Sequence, residues 1–302
     1  MRRFSTTYNT IIKLNMPTQH HDSPLAGLNP AQKEAVKYVG SPLLVLAGAG
    51  SGKTSVITRK IAWLIQQCDV PARHIAAVTF TNKAAREMKQ RVTDLLPGNS
   101  GKGLTVCTFH RLGLDIIQRE AAIAGRKSGF SIFDDQDSKA LLKDLLLDHS
   151  DSASDLLDLC QHQISQWKNQ CLLPESVVGL AQSPQEARIV KLYKSYEQAL
   201  TSYNAVDFDD LIALPVRLLE QHQEVRDRWQ NKIRYLLVDE YQDTNTSQYR
   251  LVQLLVGGRN GLVVVGDDDQ SIYAWRGANP ENLVQLEQDY PTLKVIKLEQ
   301  NY

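Results

Sequence analysis

The chain has 302 residues, 42% of them hydrophobic and 23% charged, and its 34 basic and 34 acidic residues give a net charge of zero. This composition is typical of a globular protein, and the length predicts about two domains. No run of about 18 apolar residues occurs, so no transmembrane helix is expected. The four cysteines have no metal-binding spacing, so we expect reduced thiols in a cytoplasmic protein.

The basic residues are unevenly distributed along the chain. Residues 28–110 contain eleven Lys or Arg and four Asp or Glu, whereas acidic residues cluster at 239–243 and 267–269. A basic N-terminal lobe suits a polyanion. Charge alone fits a solvated helix face better, so binding to nucleic acid needs other support.

The N-terminal 27 residues are predicted to form a disordered tail. They are rich in Ser, Thr, Asn, Pro and His and lack the apolar core of a secretory signal. Order is predicted from Leu28. There, Asn29 can cap a helix and Pro30 fits its first position, and the helix is expected to extend to about Tyr38.

A nucleotide-binding loop is predicted from the stretch LLVLAGAGSGKT, in which a buried strand leads through a glycine-rich turn into a helix. Lys53 would reach the β- and γ-phosphates, and Thr54 would hold Mg²⁺. The pattern usually begins with Gly and here begins with a small Ala. The alternative is a glycine-rich turn without a ligand. The predicted loop consists of Ala47, Gly48, Ala49, Gly50, Ser51, Gly52, Lys53 and Thr54.

Further strands are predicted at 74–81 and 104–108, with a helix at 82–96 between them. Strands that alternate with helices predict an α/β fold with a parallel sheet flanked by helices. From 111 to 232 helical periodicity predominates, so this interval is interpreted as an all-helical inserted subdomain. Pro215 is expected to bend or break its last helix. Strands are predicted again at 235–239, 262–266 and 294–298.

Two carboxylates follow the predicted strand 235–239 at the point where a P-loop fold needs them. Asp239 would bind Mg²⁺ opposite Thr54. Glu240 would orient or deprotonate the attacking water. The alternative is a pair of solvated acids that end a strand.

Eight longer strings occur in a fixed order: LNPAQ, AGAGSGKT, TFTNKAA, TFH, DFDDL, VDEYQDT, VGDDDQSIYAWRGA and LEQNY. In that order the chain resembles the UvrD/Rep/PcrA-type superfamily 1 DNA helicases over residues 28–302, with RHIAAVTFTNKAAREMK and QNKIRYLLVDEYQDTNTSQY most similar to Rep-type members. The resemblance implies an ATP- and Mg²⁺-dependent 3′-to-5′ DNA helicase of replication restart or repair. It also implies a RecA-like motor domain formed by 28–110 and 233–302, with the inserted subdomain at 111–232.

The resemblance also implies residue roles at the nucleotide. Gln32 would read the adenine edge, since an amide can donate and accept at once. Gln270 would contact the γ-phosphate, and Tyr302 would stack on adenine. Family members commonly carry Arg after the P-loop Thr, whereas this chain has Ser55, so one nucleotide contact is in doubt.

On the DNA side, the resemblance implies one set of residues that stack on single-strand bases and another that contact backbone phosphates. The stacking positions are Phe80, Tyr273 and Trp275. The phosphate contacts are Thr81, Asn82, His110 and Arg276. Alternatives remain open: Phe80 as a core aromatic, and His110 as a structural histidine. Asp209 and Asp210 are expected either to shape the groove or to cap a helix.

The chain ends at LEQNY, where the family continues with an arginine and a second motor domain. The sequence is therefore interpreted as the N-terminal half of such a helicase. Its expected partners are single-stranded DNA, junctions of single- and double-stranded DNA, and the missing motor domain, in the cytoplasm at the nucleoid. The alternative is a module that binds ATP and single-stranded DNA without motor activity.

Overall fold

The computed structural model describes residues 23–48, 50–147, 153–267 and 281–298. A six-stranded sheet forms its centre, and every strand pair in it is parallel. The predicted α/β fold with a parallel sheet is confirmed. The strands are β1 (Leu43–Ala47), β2 (Ile75–Thr79), β3 (Thr105–Thr108), β6 (Tyr235–Val238), β7 (Leu262–Gly266) and β8 (Lys294–Leu298).

The strand order β3-β2-β6-β7-β1-β8 brings distant parts of the sequence together. β1 pairs with β7 and β8, and β7 pairs with β6. The strands β2 and β7 are buried along their whole length, as expected when helices cover both faces of a parallel sheet. Because parallel strands end at one edge, the residues that follow β1, β6 and β7 become neighbours.

Helices pack on both faces of the sheet. One hydrophobic core joins it to α1 (Pro30–Lys37), α2 (Lys53–Gln66) and α3 (Asn82–Leu95). A second core on the opposite face includes helices from both ends of the predicted insertion. Its helices are α4 (Phe109–Arg119), α9 (Asp210–Gln221) and α10 (Gln223–Lys232) from those ends, together with α11 (Thr246–Val256) and α12 (Glu281–Asp289), which lie outside the predicted insertion.

A third hydrophobic core lies within the predicted insertion and joins its remaining helices. Within the described ranges, no helix is long and apolar enough to cross a membrane. The division of the chain at 111 and 232 stays a prediction. The helices of the third core are α5 (Asp135–Leu147), α6 (Ala153–Asn169), α7 (Pro174–Val177) and α8 (Pro184–Ser202).

The expectation that the insertion contains no strand is wrong. Two strands, β4 (Ser131–Phe133) and β5 (Ala205–Asp207), pair in parallel over three residues. Three residues are too few for an alternating pattern, and the side chains of β4 are largely exposed. The pairing joins segments about seventy residues apart, so no local signal marks it.

Pro215 does not break its helix. α9 continues through it to Gln221, and the break follows at His222. Proline releases the carbonyl of the residue four positions earlier, here Leu211. At Gly113 of α4 a Cβ atom would lie 1.7 Å from that carbonyl oxygen, so the backbones of α4 and α9 are in close contact.

Candidate nucleotide and DNA site

The P-loop backbone adopts a conformation that favours glycine. Gly50 and Gly52 have φ angles of +76° and +86°, in the left-handed region. A Cβ atom on Gly52 would lie 2.9 Å from Nε2 of Gln32. The fully buried Ser51 donates its hydroxyl to the carbonyl oxygen of Gly48 at 2.6 Å. Both the turn and its packing therefore require the glycine at position 52.

The N-terminus of α2 carries no side-chain cap, because Gly52 occupies the N-cap position. By contrast, Thr81 caps α3 and Thr108 caps α4 through their hydroxyl groups. The first N–H groups of a helix lack partners within the helix and carry partial positive charge. The first turn of α2, which includes the half-buried Thr54, is thus suited to a phosphate group.

Lys53 points at the carboxylates that follow the neighbouring strands. Its Nζ atom lies 3.3 Å from Oδ2 of Asp267 and 3.5 Å from Oε2 of Glu240. The side chains of Lys53 and Asp267 are 10% and 1% exposed, so this ion pair is buried. The structure thus brings the P-loop lysine and the predicted catalytic glutamate together, and their chemical roles stay predictions.

Asp239 follows β6 directly and is buried. Its N–H group donates to the carbonyl oxygen of Val78 at 3.0 Å, and its Oδ1 accepts from the N–H of Glu240 at 3.1 Å. Burial, followed by the neighbouring Glu240 charge, raises the pKa of Asp239 to about 6, against the opposing effects of that hydrogen bond and of Lys53. A bound cation would favour its ionised form.

Gln242 is a residue of this site that the sequence reasoning missed. Its Nε2 donates to Oε2 of Glu240 at 2.8 Å, and its Oε1 accepts from the N–H of Asp267 at 3.0 Å. Glu240 itself has a left-handed backbone conformation, with φ of +51°. The string YQD lies next to the carboxylates in the sequence, but the contact of Gln242 with Asp267 depends on the pairing of β6 with β7, which no local signal marks.

Gln32 lies against the P-loop with both ends of its amide engaged. Its Oε1 accepts from the N–H of Asn29 at 3.0 Å, and its Nε2 donates to the carbonyl oxygen of Ser51 at 2.9 Å. An amide can form further hydrogen bonds, so a contact with adenine stays a prediction. Lys60 of α2 also donates to the carbonyl oxygen of Ala35, and burial lowers its pKa to about 8. These contacts fix α1 on the P-loop unit.

A cavity of about 820 Å³ lies between the β2 and β3 side of the sheet and the insertion. Phe80, which follows β2, is half-buried and packs against Phe109 with ring centroids 5.6 Å apart. His110 stacks on Phe208, with centroids 4.2 Å apart and planes 27° apart. Phe208 is 51% exposed. The predicted contacts Phe80, Thr81 and His110 all line this cavity.

Phe208 is a second residue that the sequence reasoning missed. Its signal is a lone aromatic among the acids of DFDDL, which by itself cannot be distinguished from a core residue. Thr81 and Asn82 are exposed at the start of α3. The sheet-side wall of the cavity therefore offers aromatic rings next to exposed polar groups.

The acids of DFDDL have different roles. Asp210 pairs with Lys168 at 2.9 Å, and Lys168 also pairs with Asp207 at 2.7 Å inside the insertion. Asp209 occupies the N-cap position of α9 but forms no side-chain cap, and its Oδ1 accepts from Asn169 at 3.0 Å. Asp209 lines the cavity, whereas Asp210 is not among the cavity-lining residues and pairs with Lys168; a part of either in a DNA groove stays a prediction.

Six residues of the predicted site lie outside the described ranges, and the structure gives no account of them. Three belong to the nucleotide site and three to the DNA site, and their roles stay predictions. They are Ala49, Gln270, Tyr302, Tyr273, Trp275 and Arg276.

Comparison with known proteins matches residues 28–291 to the UvrD/REP helicase N-terminal domain. The chain is 59% identical to the ATP-dependent DNA helicase Rep of Escherichia coli K12 over 275 residues, which are 91% of this chain and 41% of that protein. It is 47% identical to Rep of Buchnera aphidicola subsp. Acyrthosiphon pisum, covering 91% of this chain and 43% of that protein. It is 44% identical to the ATP-dependent DNA helicase PcrA of Staphylococcus epidermidis RP62A, covering 91% and 38%.

The chain thus spans about two fifths of the length of the curated relatives it matches. The family match covers the P-loop, the carboxylates after β6 and β7, and the walls of the cavity. The chain belongs to the family of the UvrD/REP helicase N-terminal domain.

Proposed function

We propose that this chain provides the ATP-binding and single-strand-binding part of an ATP-dependent 3′-to-5′ DNA helicase. The observation that carries the proposal is the position of Lys53, at the uncapped start of α2 and within 3.5 Å of Glu240. A nucleotide phosphate is the ligand that fits a helix N-terminus and a lysine in this arrangement. The names of the relatives supply the DNA substrate, and replication restart or repair is the proposed role.

Nucleotide binding begins with an exchange of partners at Lys53. In the structure, Glu240 and Asp267 share the lysine. The β- and γ-phosphates would take the lysine from Glu240 and accept hydrogen bonds from the P-loop N–H groups. The half-exposed Glu240 carboxylate is then available to orient or deprotonate water.

A divalent cation fits the oxygen donors at this site. The Thr54 hydroxyl and the Asp239 carboxylate are the hard ligands that Mg²⁺ prefers. Asp239 is buried at the end of β6, and only β7 separates that strand from the P-loop strand β1. When bound, Mg²⁺ neutralises charge on the phosphates. Gln32, Gln270 and Tyr302 complete the proposed nucleotide contacts.

Single-stranded DNA is the proposed occupant of the cavity. Phe80 and the exposed Phe208 offer ring faces for stacking, which tolerates any base sequence. Thr81, Asn82 and His110 would contact phosphates at the sheet-side wall. Tyr273, Trp275 and Arg276 extend this proposed surface, and a junction with duplex DNA is the proposed substrate at the nucleoid.

The proposed architecture is a RecA-like motor domain of residues 28–110 and 233–302 that carries the insertion 111–232. A second motor domain would complete the ATP site, as the greater length of the relatives suggests. The competing function is a module that binds ATP and single-stranded DNA without motor activity. Coupled ATPase and unwinding assays of this chain joined to a second motor domain separate the two: unwinding supports the helicase, and binding of both ligands without turnover supports the module.

A further inference from the structure

The Gln242 side chain bridges the ends of two neighbouring strands. It lies in a short 3₁₀ helix, Tyr241–Asp243, that follows Glu240, and it is only 3% exposed. One end of its amide contacts the carboxylate of Glu240 after β6, and the other contacts the backbone of Asp267 after β7. Both contacts are at hydrogen-bonding distance, 2.8 Å and 3.0 Å.

The two contacts together define which way the amide faces. The backbone N–H of Asp267 can only donate, so it requires the carbonyl oxygen Oε1. This orientation turns the NH₂ group toward Glu240, whose carboxylate can only accept. A glutamate of the same shape at position 242 could still accept from the N–H of Asp267, but its carboxylate would repel that of Glu240.

The end of β7 leaves room for this side chain. A Cβ atom on Gly266 would lie 3.0 Å from Oε1 of Gln242, so a larger residue there would press against the amide. The glycine at position 266 thus allows the Gln242 amide to approach the end of β7.

The bridge matters most when a nucleotide is present. Lys53 is the other partner of Glu240, at 3.5 Å, and phosphates would draw that lysine away. The Glu240 side chain is 38% exposed and would then be free to turn toward solvent, away from the negative γ-phosphate. Among the residues that the structure describes, Gln242 is then the side chain that still holds this carboxylate, through its hydrogen bond.

We infer that Gln242 is a positioning residue that keeps the Glu240 carboxylate at the γ-phosphate during ATP hydrolysis. This inference rests on the proposed ATPase function. It assigns Gln242 no contact with the nucleotide, so its loss should slow cleavage without weakening nucleotide binding. Mispositioning of a reacting group by about 1 Å can cost up to about 100-fold in rate.

The test compares Gln242→Leu with the parent chain and with a matched control. Gln230→Leu is the control, because Gln230 also uses its amide in a hydrogen bond, to the carbonyl oxygen of Leu254 at 2.8 Å, away from the site. Nucleotide affinity is measured by competition of ATPγS against a fluorescent ADP. Cleavage is measured in single turnovers of radiolabelled ATP with the chain in excess.

Gln242→Leu should lower the cleavage rate by about 10- to 100-fold while the ATPγS affinity stays within about threefold of the parent or rises. Gln242→Glu, which keeps the contact with Asp267, should likewise lower the cleavage rate without weakening ATPγS binding. In a Glu240→Gln background, Gln242→Leu should cost nothing further, because the residue acts through Glu240.

Three results would overturn the inference. The first is equal cleavage rates in the parent and Gln242→Leu, whether measurable or at the buffer background. The second is a loss of ATPγS affinity equal to the loss of rate, and the third is a full additional cost in the Glu240→Gln background. A different result, absence of nucleotide binding by the parent chain, would instead refute the proposed function.

Discussion

Replacement of Lys53 tests the nucleotide site at its most informative position. Lys53→Ala removes the only charge that the P-loop itself carries and leaves Asp267, which is 1% exposed, without this partner. The variant should therefore lose nucleotide binding, because no other P-loop side chain can reach the β- and γ-phosphates as a cation.

The expected size of the effect follows from linkage. At a nucleotide concentration of 100 times Kd, binding stabilises the folded state by about 2.7 kcal/mol. For a chain of this size each kcal/mol raises Tm by about 2 °C, so Mg-ATP should shift the parent by about 5 °C. The loss of one partner from a buried ion pair typically costs about 3–5 kcal/mol, so Lys53→Ala should also melt earlier without nucleotide.

Thermal-shift titration with Mg-ATP measures both effects. Lys33→Ala is a suitable control, because it removes the same charge from an exposed position on α1. It should keep the full shift. An undiminished shift in Lys53→Ala would refute the P-loop assignment, and an unchanged Tm without nucleotide would refute the view that Lys53 stabilises the carboxylates after β6 and β7.

Three further predictions concern other parts of the site. Trp275→Ala should weaken binding to an oligothymidine by about 1–3 kcal/mol in an anisotropy titration if a base stacks there; equal affinity in a folded variant would assign Trp275 to the core. Burial raises the pKa of Asp239 to about 6, so the folded chain binds that proton more tightly than the unfolded chain. The parent's free energy of unfolding should therefore fall relative to that of Asp239→Asn as pH rises from 4 through 6. Urea denaturation measures both, and a difference between the two free energies that does not change with pH would contradict this. Assayed by themselves, these 302 residues should bind ATP but hydrolyse it slowly, with little stimulation by single-stranded DNA, because a second-domain arginine is typically worth about 10³–10⁵ in rate; robust DNA-stimulated phosphate release would show otherwise.

Local sequence signals predicted the strands, the loop and the acidic residues around which the candidate site is built. The P-loop, the parallel strands and the acids at 239 and 240 are each marked within about ten residues, by apolar runs and by glycines that permit positive φ. The alternation of strands and helices likewise predicted the parallel sheet that carries them.

The signals that were missed depend on contacts between distant segments. β4 and β5 are three residues each and pair across about seventy residues of the predicted insertion. Gln242 reaches Asp267 only because β6 lies beside β7. Phe208 reaches His110 because residues about a hundred positions apart line the same cavity. The continuation of α9 through Pro215 likewise depends on its contact with α4. Periodicity within a window carries no information about such partners.

The contact of Gly113 with the carbonyl oxygen of Leu211 constrains how the cavity can change shape. α4 begins beside His110, and α9 begins two residues after Phe208, so main-chain atoms rather than adjustable side chains set the spacing of these two rings. Rearrangements of α5, α6 and α8 can therefore widen or narrow the opposite wall while the stacked pair keeps its separation. Amino-acid substitutions should accordingly be tolerated on the wall that α5, α6 and α8 form. Substitutions that enlarge a side chain should be disfavoured where the backbones of α4 and α9 meet.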